Sequence, residues 1–272
     1  MRASHPQGEV ADPLSVQFEA EGYLVLPEVF PAKEIDHIKC LLTKEMEPGH
    51  AQAQTTFFDL TGRYPYFSDL VRSAGLVSIL GKIIGGNLAF HHSKLHCGER
   101  TSRWHRDICS YPHTNSDLVT VSLYLDDVDL GHGALQVIPG SHRKGSWTVP
   151  FVLGSDFDFP AEPPNALKLE VAAGGISIHH CCLLHRSSSC APGRVRNVIV
   201  LSYRATDAAV LVPDMFGEKA GGVIVAGNEP ISWRVEDSTA VFAEECVAPS
   251  GRLISGRRER GLRIRGSRCS MM

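Results

Sequence analysis

"GGISIHHCCLLHRSSSCAPGRVRNVIVLSYRA", residues 174–205, contains two short runs of β-branched and aliphatic residues, Ile176–Ile178 and Val195–Tyr203, parted by Cys, Ser, Pro and Gly. Branched and aromatic side chains fit a pleated, half-buried surface, while Gly, Pro and Ser break it, so the stretch predicts two strands and an irregular connection. His179, His180 and His185 follow the first run, and Arg196 opens the second, eleven residues after His185.

The same texture extends outward in "NLAFHHSKLHC" from Asn87, "DLVTVSLYLDDV" from Asp117, "GALQVIPGSH" from Gly133, "ALKLEVAAGG" from Ala166 and "GGVIVAG" from Gly221. Many short strands at this spacing predict a sandwich or barrel, not a parallel βαβ sheet. The first third reads differently. "SVQFEAEGYLVL" predicts a short helix, a turn at Gly22 and a strand over Tyr23–Leu26. Pro31 stands at the start of a second helix with Ile35, Ile38, Leu41 and Leu42 at helical spacing. A further helical segment is expected from about Phe67 to Ile84.

Upstream of the quoted stretch, "SRWHRDICSYPH", residues 102–113, places His105 and Asp107 two apart. On an extended chain an i, i+2 pair points to one face. Alone, such a pair is more often two solvated polar residues. With a distant histidine brought beside it, two imidazoles and one carboxylate make the ligand set of non-haem Fe(II) oxygenases.

Charge and length restrict the rest. The chain has 272 residues, a net charge of −3 and a pI near 6.5, which gives no electrostatic reason to expect nucleic acid or an anionic membrane as partner. No apolar run reaches the roughly 18 residues of a membrane span, and residues 1–16 lack an apolar leader, so a cytoplasmic protein is expected. Eight cysteines without a CxxC pair suggest packed thiols, neither a zinc site nor a disulfide framework. The domain expectation is a flexible stretch over residues 1–15, punctuated by Pro6, Gly8 and Pro13, one domain over 16–245, and a flexible, basic tail over 246–272.

"WHRD" at 104–107, "GHGALQVIPGSHRKG" at 131–145 and "LLHRSSSCAPGRVRNVIVLSY" at 183–203 together resemble the phytanoyl-CoA dioxygenase family of Fe(II)/2-oxoglutarate oxygenases. "FEAEGYLVLPEVFPAKEIDHIK" is similar to that family's N-terminal segment, and "FHHSKLHCGERTSRWHRD", from Phe90, to ectoine hydroxylases within it. The resemblance spans roughly residues 17–206. It implies a mainly β, α+β fold: a double-stranded β-helix (jelly-roll, cupin-like) core with flanking helices. It also implies iron ligands His105, Asp107 and His185, with Arg196 holding the distal carboxylate of 2-oxoglutarate and Ser187 assisting. His179 and His180 compete with His185, and Arg194 with Arg196; spacing within the family pattern favours His185 and Arg196. The other histidines, His91, His92, His96, His113, His132 and His142, read as core, loop or pocket-lining residues, and Trp104 as packing beside the site.

The cofactors expected from the resemblance are Fe(II) and 2-oxoglutarate, and the partners a small-molecule substrate and O₂. Because Asp107 is present where related halogenases carry a small residue, hydroxylation or another outcome of hydrogen abstraction is expected over halogenation. Residues 51–67, 108–117 and 146–167 are expected to shape the substrate pocket. A natural-product intermediate is ranked first, with small polar or amino-acid-like metabolites close behind. Two other classes remain open here: a cupin-like metal enzyme that does not use 2-oxoglutarate, and a catalytically silent partner subunit.

Overall fold

The computed structural model describes residues 12–47, 55–98, 101–143, 163–192, 194–211 and 222–236. The expected basic tail, residues 146–162 of the pocket-shaping segments and residues 51–54 lie outside these.

The first described element is α1 (Pro13–Glu21), the short helix expected before Gly22, begun two residues ahead of Ser15. The reason is local: Asp12 caps it by accepting the Leu14 N–H at 2.9 Å, and Pro13 occupies the first turn, where its missing N–H costs nothing. Gly22 ends it at φ 79°, and β1 (Tyr23–Leu26) follows. Next comes α2 (Ala32–Leu41), begun at Pro31 as expected. A short strand, β2 (Thr56–Phe58), precedes three helices, α3 (Leu60–Arg63), α4 (Pro65–Leu70) and α5 (Ala74–Ile84). The single helix expected over 67–84 is therefore two, broken at residues 71–73, and the second starts after Ser73 in extended backbone.

The remaining elements are the expected short strands: β3 (Leu88–Gly98), β4 (Leu118–Tyr124), β5 (Leu135–Val137), β6 (Leu167–Leu169), β7 (Ile176–His180), β8 (His185–Ser187), β9 (Arg196–Ala205) and β10 (Val223–Ala226). They form a seven-stranded antiparallel sheet in the order β1-β7-β4-β9-β3-β10, with β2 also on β3, and a three-stranded sheet in the order β6-β5-β8. The architecture is a jelly roll with helices on one side, as the sequence predicts.

Period-two alternation in the large sheet decides where the site goes. One face carries Leu24, Ile176, Ile178, Val119, Val121, Leu123, Ile199, Leu201 and Tyr203, all buried in a single apolar cluster with Leu76, Leu80 and Ile83 of α5. Burial of that face is what attaches the helices. On β4, β7 and β9 the opposite face carries Thr120, Ser122, Tyr124, Ser177, His179, Arg196, Val198, Val200, Ser202 and Arg204. Antiparallel register sets Thr120 beside His179 and beside Ser202, which gathers hydroxyl and imidazole groups on the surface that looks toward the small sheet.

Three further buried histidines, on β3 and in the connection that follows it, are expensive in acid. His91, His92 and His113 are buried, and burial is the main cause pulling His91 down to about 2 and His113 to about 3, with His92 shifted the same way. These rings stay neutral when folded but take up protons near pH 6.5 when unfolded, so the unfolded state binds more protons below that value. Stability is accordingly retained above pH about 6.5 and lost as the pH falls. Three such groups give a slope of about 4 kcal/mol per pH unit once well below it. Urea midpoints between pH 7.5 and 5 test this, and a flat profile would contradict it.

Candidate metal centre

The connection from β3 to β4 brings Trp104–Asp107 back across β8. His105 and His185 form an isolated antiparallel bridge, with His105 N–H to His185 O at 2.9 Å and the reciprocal bond at 3.0 Å. Only His105 is in extended pairing. Asp107 opens a 3₁₀ turn, Asp107–Cys109, so the carboxylate does not sit on a strand as the i, i+2 argument assumed. The turn nonetheless delivers it to the same place: His105 Nε2 lies 3.7 Å and His185 Nε2 3.6 Å from Asp107 Oδ1.

The tautomers follow from the backbone. His105 Nδ1 is 2.9 Å from Arg103 O, and His185 Nδ1 is 2.9 Å from Leu183 O. A carbonyl only accepts, so both Nδ1 atoms carry the proton and both Nε2 lone pairs face the Asp107 carboxylate. Burial lowers the pKa of each imidazole, which keeps them neutral. Burial would push the Asp107 carboxyl up, but the neighbouring imidazoles of His185, His179 and His105 outweigh it and hold it well below the usual carboxylate range. Two lone pairs and an anionic oxygen, converging with no proton between them, are complemented by a cation. The three ligand atoms all lie within 4.8 Å of one another. These residues fit a divalent iron.

Asp107 has a second oxygen, and sequence reasoning missed what holds it. Thr120 Oγ1 donates to Oδ2 at 2.6 Å, and His179 Nε2–H donates to it at 3.1 Å. Tyr111 OH in turn lies 3.1 Å from Thr120 Oγ1. His179 is thus a partner of the carboxylate in this structure, while His180 points into a different cluster, 5.2 Å between ring centres from His142. The alternation of "LVTVSLY" was the available signal, since it puts Thr120 on the polar face. Groups that orient ligands typically matter 10–100-fold for metal affinity. Thr120→Val is therefore expected to weaken iron binding by roughly 10–100-fold while leaving the fold intact. An unchanged iron affinity by anaerobic titration would show that the hydroxyl does not orient the carboxylate.

The two candidate arginines separate cleanly. Arg194 precedes β9 and is exposed, with Nη1 to Asp129 Oδ2 at 2.8 Å and Nη2 near His132 Nδ1 at 3.1 Å, a surface ion pair. Arg196 opens β9 and is 5 % exposed. Gly133, at φ 71°, passes close to it: a Cβ there would stand 3.2 Å from Arg196 Nη1 and 2.7 Å from Cys190 Sγ. Ser187 sits two residues beyond His185 on β8, with its N–H bonded to Ser102 Oγ at 2.8 Å. Trp104 packs with Ile138 and Leu184 in a small buried apolar cluster beside the histidines, as expected, and the Arg186 guanidinium lies 5.2 Å over its ring.

A jelly roll that carries two histidines and a carboxylate between its sheets defines a cupin-like metal protein. More narrowly, the chain belongs to the phytanoyl-CoA dioxygenase family, whose profile matches residues 18–197. A probable alpha-ketoglutarate-dependent hypophosphite dioxygenase of Stutzerimonas stutzeri is 30% identical over 151 residues, 51% of this chain and 53% of that protein. An ectoine dioxygenase of Sphingopyxis alaskensis is 25% identical over 147 residues, 46% of this chain and 48% of that one. The chain thus spans about half the length of these curated relatives. Among solved structures, the alpha-ketoglutarate-dependent epimerase SnoN of nogalamycin biosynthesis superposes with a TM-score of 0.62 at 17% identity, covering 79% of this chain and 96% of that one, which shows the shared fold. No helix among the described residues is long and apolar enough to cross a membrane.

Proposed function

We propose that the protein is an Fe(II)/2-oxoglutarate-dependent oxygenase, with His105, Asp107 and His185 as iron ligands and Arg196, assisted by Ser187, binding 2-oxoglutarate. The observation that carries this reading is the pair of Nδ1–H-anchored imidazoles whose free Nε2 atoms converge on one oxygen of Asp107. Held by these three side chains, Fe(II) would supply chemistry that couples the conversion of 2-oxoglutarate and O₂ to succinate and CO₂ with oxidation of a C–H bond.

Each residue then has a task. The Thr120 and His179 hydrogen bonds occupy Oδ2 and leave Oδ1 as the atom that would hold the metal. Arg196, buried and always charged, offers a planar fork that a distal carboxylate accepts through two parallel bonds. Gly133 leaves room beside that fork. The Trp104, Ile138 and Leu184 cluster excludes water from one flank.

The substrate is a small molecule, and hydroxylation is the outcome that Asp107 favours. Polar groups on the inner sheet face, Ser122, Tyr124, Ser177 and Ser202, support a polar or amino-acid-like compound. The names of the two relatives, which specify hypophosphite and ectoine, are consistent with a small polar substrate. Anaerobic addition of Fe(II) and then 2-oxoglutarate tests the cofactor pair: a weak visible metal-to-ligand charge-transfer band is expected. Iron uptake without that band would overturn the 2-oxoglutarate assignment and favour a cupin-like enzyme of another type.

A further inference from the structure

The turn between β7 and β8 carries a second group of metal-binding side chains that the iron centre does not use. His180 Nδ1, Cys181 Sγ and Cys182 Sγ all lie within 4.8 Å of one another and are buried. Cys181 Sγ stands 3.7 Å from Cys182 Sγ and 3.9 Å from His180 Nδ1. Two thiolates on one tetrahedral zinc, each with a bond of about 2.3 Å, are separated by about 3.8 Å. The same pair joined as a disulfide needs about 2.05 Å. The spacing is that of two thiols in contact, and it is close to the spacing a shared ion requires, so the sulfurs need little movement to take one.

Of the two thiols Cys181 is the harder to ionise, because burial pushes it well above the usual thiol range. Cys182 N–H donates to His180 Nδ1 at 3.1 Å, so that nitrogen is unprotonated, and its one lone pair would pass from this N–H to the ion on binding. Burial raises the Cys182 pKa, but the hydrogen bond with Cys181, His180 and the Arg106 guanidinium together bring it down to about 6. Cys181 Sγ currently donates to Ser116 O at 3.3 Å.

We propose that His180, Cys181 and Cys182 form a second metal site, separate from the His105–Asp107–His185 centre, that takes one thiophilic divalent cation of zinc size. Two imidazole-and-thiolate donor types select such an ion over the hard, oxygen-preferring ones. At neutral pH binding releases the Cys181 proton to solvent, with the Cys182 proton also released below pH about 6, and leaves one coordination position for water. The site does not depend on the reading of the iron centre, yet its backbone is tied to both halves of it. Cys181 O accepts from Ile108 N–H at 3.1 Å, and Cys182 O accepts from Arg106 Nη1 at 2.7 Å, which grips the residue between His105 and Asp107. Leu183, whose carbonyl anchors His185 Nδ1, follows directly. An ion here would brace the turn that positions the iron ligands.

The test is cadmium titration of the reduced full-length protein, with cadmium standing in for zinc. A thiolate-to-cadmium charge-transfer absorption is expected to saturate at one equivalent, to persist in His105→Ala, and to be lost in the double variant Cys181→Ser/Cys182→Ser. X-ray absorption of cadmium-loaded His105→Ala provides a readout that does not need the cysteine variant to fold: two sulfur scatterers per ion are expected. Oxygen and nitrogen scatterers alone, or a charge-transfer band unchanged in the double serine variant, would overturn the proposal.

Discussion

His105→Ala is expected to abolish iron binding and turnover together. Removing this imidazole leaves two protein donors in place of three and opens the end of the site that is bridged to His185. An orienting partner alone is worth roughly 10–100-fold in metal affinity, so losing a ligand is expected to exceed that range. The fold is expected to survive, because His105 is held by backbone bonds to His185 that alanine retains. Iron content after anaerobic loading, read beside the circular dichroism spectrum, checks it. A folded variant with full iron and full activity would mean that the metal sits elsewhere.

Arg196→Ala is expected to keep iron and lose 2-oxoglutarate. A charge-assisted hydrogen bond contributes roughly 1.5–3 kcal/mol, which corresponds to roughly 10–150-fold in affinity, and a bidentate pair sits at the upper end. Arg196→Lys is expected to recover only part of this, since a point charge does not reproduce the fork. Arg194→Ala is the internal control. Its partner is an exposed Asp129, in a pair of the sort that contributes about 0–1 kcal/mol, so neither iron nor 2-oxoglutarate affinity is expected to move. Titration of the charge-transfer band with 2-oxoglutarate separates the variants. An effect in Arg194→Ala with none in Arg196→Ala would exchange the two assignments.

The β-rich half of the fold was legible because its strands are short, branched and punctuated, and all the quoted runs became strands. The helix break at residues 71–73 was not legible, since apolar spacing continues across it and only the backbone shows the interruption. Nor was the helix start at Pro13, where a proline taken for a loop signal serves as a first-turn residue capped by Asp12. The cysteine spacing shows no CxxC pair and one adjacent pair, Cys181–Cys182, and it does not show that the β7–β8 turn folds those two sulfurs together beside His180.

For the candidate metal centre, the amino-acid sequence by itself determined the residue types and their separations: an HxD pair, a histidine eleven residues before an arginine, and alternation that puts Thr120 on a polar face. Those are one-dimensional properties, and local stereochemistry carries them. Tertiary structure alone decided which histidine faces the carboxylate from which side, and which arginine is buried. His179, His180 and His185 differ little in local sequence, and Arg194 and Arg196 share the same parity along the chain. Their fates part because β8 crosses the HxD segment while β7 stays in the large sheet, and because β9 begins at Arg196, leaving Arg194 outside with Asp129. Distances between strands far apart in sequence are set by packing two sheets over one core, which no local pattern encodes.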